Sequence, residues 1–300
     1  MHWQVTHHLD HAIDVAADDT TVMRYVYRPD MPDDESPRPY LHPLRSLRGN
    51  LLTGDRPNDH AWHRGLSMTN AHLSGANFWG GPTYLPGEGY TRRDDHGRQL
   101  HQRWQSIRRH DRGVELVHDL IWQGPDRDDW MTEFRRLDAV ALPDDGGWTL
   151  RWSMSLKNVT DRPLEFGSPT TQGRENAGYG GLFWRGPRDF AGGRVATPDG
   201  EIDHEQLMGE PADWLAYTGR HDGSHDRTTL VFVDHPDNPR HPNPWFIRGD
   251  ATPMVCFALS FDTLYTLAPG DTLGLTYALV IAEGGPASAK PAELADAAFD

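Results

Sequence analysis

Bulky apolar residues alternate with polar ones at a spacing of two over most of the chain, the period of a strand with one buried face. The pattern is plainest from about Leu100. There HQRWQSIRRH, GVELVHDLIWQ, MTEFRRLDAVAL and GGWTLRWSMSLKNV follow one another, broken by DRG, GPDRDD and PDDGG, which are turn compositions. His2 to Thr6, Ala12 to Val15 and Thr21 to Arg28 predict shorter strands before them, and WLAYTGR, TTLVFVD, WFIRG, PMVCFALSF and DTLGLTYALVIAEG predict more after them. Only the stretch from Pro286 to Phe299, with its alanine-rich AELADAAF, reads as helix. The proline- and acid-rich RPDMPDDESPRP, from Arg28 to Pro39, predicts a solvated surface loop. The expected fold is therefore all-β: one large antiparallel β-sandwich of roughly fifteen to eighteen strands with a short C-terminal helix. No composition shift marks a boundary, so residues 1–300 read as a single domain.

Composition adjusts this picture in three ways. Hydrophobic content is only 37%, but eleven Trp, ten Phe and nine Tyr supply the bulk for a large core. Acidic residues outnumber basic ones 44 to 29, giving a net charge of −15, which argues against a nucleic-acid partner because phosphate binding needs a basic face. The one cysteine, Cys256, lies in a strand-like run and reads as a buried, inert thiol. No stretch approaches eighteen consecutive apolar residues and the amino terminus has no signal-like pattern, so no membrane partner and a cytoplasmic location are expected.

Three segments break the alternation with residues capable of chemistry. The first, Asp55 to Gly81, mixes His60, His63, Asp59 and Arg64 with Trp62, Phe78 and Trp79, and follows His42 in an extended proline-flanked run. Its polarity excludes a plain core and its aromatics exclude a plain linker, so it reads as a wall of a small-molecule site. His60 and His63 are candidate acid/base groups, because imidazole exchanges protons near neutral pH. The alternative is a divalent metal held by His60, His63 and Glu175; otherwise no cofactor is expected.

The second segment, GRENAGYGGLFWRG, offers Glu175 as a general base, with Asn176, Tyr179, Trp184 and Arg185 as substrate contacts. The third, DHPDNPRHPNPWFIR, is stiffened by four prolines and carries His241 and Trp245, with Trp245 and Arg248 directed to opposite faces of the emerging strand. Arginines, amides and carboxylates bond hydroxyl groups while tryptophan stacks on a sugar ring, so the shared blend favours a small carbohydrate or sugar acid. No nucleophile elbow or dinucleotide fingerprint competes.

PYLHPLRSLRGNLLTGDRPNDHAWHRGL (Pro39 to Leu66), ANFWGG, GRENAGYGGLFWR and HPDNPRHPNPWF together resemble the bacterial family labelled methane-oxygenase PmoA-like, a domain of unknown function. The resemblance implies a β-supersandwich similar to galactose mutarotase, a group in which a histidine acid and a glutamate base work on sugar rings. The histidine motif of that group is not matched here, so the roles of His60, His63 and Glu175 rest on the residues themselves. The functional expectation is a carbohydrate-active enzyme of epimerase, lyase or hydrolase type acting on a sugar, sugar acid or keto-glycoside. The alternatives are a non-catalytic sugar-binding module and a metal-dependent enzyme of the same substrate class. Oligomeric state is left open.

Overall fold

A computed structural model describes residues 1–143 and 146–300. Two large antiparallel sheets face each other. One has eight strands in the order Trp3–His8, Ala12–Ala17, Thr20–Val26, Tyr40–Leu44, Leu66–Asn70, Gly180–Arg185, Met254–Phe257 and Trp245–Arg248. The other has nine, running from Gly200–Ile202 and Arg194–Thr197 through Trp214–Arg220, Arg227–Asp234, Thr272–Glu283, Gly147–Asn158 and Asp129–Ala141 to Gly113–Gln123 and Arg98–His110. The all-β antiparallel sandwich expected from the alternation is the observed architecture. The carboxyl end forms two short helices, Pro286–Ala289 and Pro291–Asp296. Among the described residues, no helix is long and apolar enough to cross a membrane.

Alternation decides what fills the space between the sheets. In Gly147–Asn158 the inward residues are Trp148, Leu150, Trp152, Met154 and Leu156, all in the main core. They and the inward residues of neighbouring strands meet those of the eight-stranded sheet: Tyr25 lies 6.3 Å from Trp152, while Trp184 and Phe232 are 5.4 Å apart and Phe257 and Tyr277 4.2 Å. Aromatics of this size each remove roughly 150–250 Å² from water, which compensates for the modest aliphatic content. Cys256 is fully buried, and burial pushes its thiol well above the ordinary thiol value, as suits an inert core residue.

A polar chain crosses this core. Arg135, fully buried, donates to Glu133 at 2.6 and 2.8 Å, to Gln99 Oε1 at 3.0 Å and to Tyr25 Oη at 3.0 Å, and its guanidinium lies 4.7 Å over the Trp152 ring. Glu133 also accepts from Trp122 Nε1 at 2.7 Å, so the buried ion pair has its hydrogen bonds met, the condition under which such a pair is tolerated. Tyr25 Oη also hydrogen-bonds His118 Nε2, 2.9 Å away. His118 in turn hydrogen-bonds His101 through the two Nδ1 atoms, 2.9 Å apart, one ring donating and the other accepting. Burial, Arg135 and His101 hold His118 well below the ordinary histidine value, and burial with Arg28 and His7 brings His101 down to about 4. Both rings are neutral at pH 7.

Because the folded values lie below the unfolded one near 6.5, the unfolded chain binds more protons as pH falls. Stability is complete above about pH 6.5 and declines toward pH 4. Urea unfolding from pH 7.5 to 4.5 is expected to show this loss, with a shallower slope in His101→Gln. An identical slope in that variant would exclude His101 as a source.

Candidate functional site

The eight-stranded sheet has a second face. Residues alternating with its core set, among them Phe183, Phe246, Met254 and Cys256, form a separate apolar cluster with Ala71 and Trp79, against which Trp62 and Tyr179 pack. Of the Asp55 to Gly81 segment, the stretch around His60 to His63 and Trp79 lies over this face, whereas Leu66–Asn70 is itself a strand of the sheet and Phe78 belongs to the main core. Within the segment Arg56 N–H bonds His63 O at 2.9 Å, His60 N–H bonds Pro57 O at 3.0 Å and His63 N–H bonds His60 O at 2.9 Å. Two successive turns thus carry this stretch, and they stack the His60 and His63 rings 4.7 Å apart at 29°.

Buried charge holds the turns in place. Glu35, only 4% exposed, accepts from Arg64 at 2.7 Å and pairs with Arg56, while Arg64 also reaches Asp55 at 3.3 Å. Arg38 donates to the carbonyls of Glu35 (3.0 Å), Ser36 (2.9 Å) and Trp62 (2.8 Å) and to Ser67 Oγ at 3.1 Å. Burial, with repulsion from Arg64, brings the Arg38 guanidinium down to about 9, so it stays a cation at neutral pH. The Trp62 indole then rests on bare backbone: a Cβ on Gly81, whose φ is +69°, would lie 2.5 Å from the indole ring. Glycine is needed there for its conformation and for the close approach.

A cleft of about 410 Å³ opens beside the histidine pair. It is lined by His60, Trp62, His63, Trp79, Gly80, Pro82, Tyr90, Arg174, Tyr179, Phe246, Arg248, Thr252 and Met254, with the Trp79 and Tyr179 rings in contact at 4.6 Å. A second cleft of about 410 Å³, between Arg194–Thr197 and the C-terminal helices, contains no histidine, and its one large aromatic is Trp214. The first holds both histidines and the aromatic side chains of Trp62, Trp79, Tyr90, Tyr179 and Phe246. His63 is 3% exposed, packed edge-on against Trp79 (5.3 Å) and Phe183 (5.1 Å), with Nδ1 buried and unpartnered. Burial, then His60, Arg185 and Arg38, hold it well below the ordinary histidine value, so it is neutral at pH 7.

His60 is more open, with Asp59 Oδ2 3.2 Å from its Nδ1 but outside hydrogen-bond geometry. Against the cost of burial, its own backbone amide, His60 and Arg185 keep the Asp59 carboxyl below the usual carboxylate value. Elsewhere in the cleft lining Arg174 donates to Tyr90 Oη, which lies 2.9 Å from Tyr179 Oη.

A family model matches residues 12–297. The chain belongs to the family of unknown function DUF6807. That description names no activity and makes no reference to a methane-oxygenase-like family. No curated protein matches the sequence. Among solved structures, the chain is similar to a galactose 1-epimerase from Lactobacillus acidophilus (10% identity, 95% of this chain and 99% of that one, TM-score 0.38). It is also similar to a putative aldose 1-epimerase from Klebsiella pneumoniae (12% identity, 63% and 56%, TM-score 0.34) and to the GH36 α-galactosidase AgaA from Geobacillus stearothermophilus (10%, 95% and 41%, TM-score 0.40). The chain thus spans about half the length of the last two. At these scores the likeness carries nothing about chemistry.

The structure brings His60, Trp62, His63, Trp79 and Tyr179 together at the cleft, with Asp59 behind His60. It places the other expected residues elsewhere. Trp184 and Trp245 are 0% and 1% exposed in the core, donating to Leu52 O and Ala212 O, because they occupy the inward positions of their strands. Arg64 is consumed by Glu35 and Asp55, and Arg185 lies buried outside the cleft lining with Nη1 unpartnered. Glu175 and Asn176 are exposed and outside that lining, Asn176 contributing a carbonyl to Arg248 at 3.4 Å. His42 bonds Thr53 Oγ1 at 2.9 Å, and His241 sits between Asp234 (3.1 Å) and Asp213 (3.3 Å), bracing the proline-rich loop. Among the described residues no three His, Cys, Asp or Glu groups converge as a metal set, so His60, His63 and Glu175 do not form one.

Glu35→Gln would leave Arg56, Arg64 and Arg38 without their shared anion. Removing one partner of a buried pair costs about 3–5 kcal/mol. A matching fall in urea-unfolding stability, with faster proteolysis within residues 56–64, is expected; an unchanged midpoint would mean that Glu35 does not hold the turns.

Proposed function

We propose that the cleft binds a sugar ring and that His60 and His63 transfer protons on it. The observation that carries this reading is the stacked imidazole pair set among the aromatic walls Trp62, Trp79, Tyr179 and Phe246. Aromatic faces suit the C–H face of a pyranose, while Tyr90 Oη, His60 and the arginines suit its hydroxyl groups. His63, neutral at pH 7, is the base, since it needs no deprotonation before accepting a proton. His60, at the open side, exchanges the second proton. Epimerisation or elimination needs two such groups. Paired-carboxylate hydrolysis gains no support, because no carboxylate is among the described residues lining the cleft.

That same observation favours one rival, a sugar-binding module without catalysis. A mass-read screen of glycosides and their 3-keto derivatives separates the two. Turnover by the native chain, lowered about 10²-fold or more in His63→Gln and His60→Gln with Kd within a few-fold, supports the enzyme; binding without conversion of any glycan supports the module. With His63 as base, the acid limb of kcat/KM is expected to lie below pH 6.5, since its folded value lies below 6.5. An acid limb centred above pH 7 would remove His63 from that role.

A further inference from the structure

Several arginines on the sheets of this protein are matched by acid: Arg24 by Asp14, Arg103 by Asp119, Arg136 by Asp138 and Glu115, Arg194 by Glu201. In a chain with 44 acidic and 29 basic residues such matching is the expected state. Arg174 and Arg248 depart from it. Both line the aromatic cleft, neither forms an ion pair with a described carboxylate, and no described carboxylate lines the cleft. Glu175 is adjacent to Arg174 in sequence, yet it is exposed, outside the lining and unpaired with it.

Neutral groups hold the two guanidiniums instead. Arg174 donates to Tyr90 Oη and its guanidinium carbon lies 4.7 Å over the Tyr90 ring. Arg248 donates to Asn176 O at 3.4 Å and its guanidinium lies 5.5 Å over Phe246. Ring faces and carbonyl oxygens orient a guanidinium without neutralising it, so most of its donors and all of its charge remain for a ligand. A planar fork matches a planar carboxylate, and the cleft lining contains no lysine and no glycine-rich helix start of the kind that cradles phosphate.

We infer that the cleft selects a carboxylated sugar, a uronate or related sugar acid, whose carboxylate is held by Arg174 and Arg248 while its ring lies among the aromatic walls. This rests on the sugar reading above and narrows it to an anionic class. Calorimetric titration of the full chain with matched pairs, glucose against glucuronate and galactose against galacturonate, tests it, with glucose 6-phosphate and cyclohexanecarboxylate as controls. A uronate binding at least tenfold more tightly than its neutral partner is expected, with that preference lost in Arg174→Gln/Arg248→Gln and partly kept in the Lys/Lys variant. Arg248 is exposed and Arg174 half-buried, so thermal melts of the variants should match the native chain. Equal binding of neutral sugars overturns the carboxylate assignment and leaves the sugar reading standing. Tighter binding of glucose 6-phosphate overturns the carboxylate class, and a uronate preference unchanged in the double Gln variant overturns the two arginines. Cyclohexanecarboxylate binding as well as a uronate overturns the sugar reading instead, and no binding by any probe overturns both.

Discussion

A β-strand presents its side chains alternately to two faces, and in the eight-stranded sheet both faces are committed. Leu182 and Trp184 point into the sandwich, whereas Phe183 points to the outer apolar cluster against His63 and Trp79; Trp245 and Ile247 point inward, whereas Phe246 and Arg248 point out. Everything else in the site is arranged on that division. The core face is sealed by aromatic packing across to the nine-stranded sheet, so the outer face is free to carry a second apolar layer with histidines above it. A slip of one residue in either strand would exchange core for site.

Electrostatics then separates structural from available charge. Glu35 gathers Arg56 and Arg64 beside Arg38 beneath the histidine turns, and the desolvated charges there are tied down by partners. Arg174 and Arg248 line the cleft with aromatic faces and neutral oxygens for company. One group of arginines builds the site; the other is left unneutralised in it. The Glu133–Arg135 pair does comparable structural work in the core, where Tyr25 joins the two sheets through one hydrogen-bonded chain.

Much of this was legible in the chain. Alternation revealed the sandwich, and the crowding of His60, His63, Trp62 and Trp79 into one loop-like segment revealed the wall of the cleft, because those residues satisfy neither core nor solvent. Trp184 and Trp245 were misplaced because bulk alone does not say which face a tryptophan takes; the in–out rule applied through the strands would have chosen Phe183 and Phe246. Glu35 was hidden for a different reason. An acid among prolines and other acids reads as solvated, and only the arrival of Arg56 and Arg64 from further along the chain gives it a buried partner. Glu175 failed conversely: its neighbours in sequence looked like a site, but the backbone turns at Asn176, at φ +52°, with both residues left in solvent.

The cleft is lined partly by strands and partly by loops, and these two parts have unequal freedom to change. Phe246 and Met254 alternate with core residues and are held by two ladders of backbone hydrogen bonds, so the strand-borne part inherits the rigidity of the sandwich. Tyr90, Arg174 and Thr252 lie on connections or short hairpins that no core residue depends on. A lineage carrying this fold can therefore rewrite which ligand it accepts by exchanging loop-borne residues while its packed core stays untouched, and divergence in specificity has a cheap route that divergence in architecture lacks.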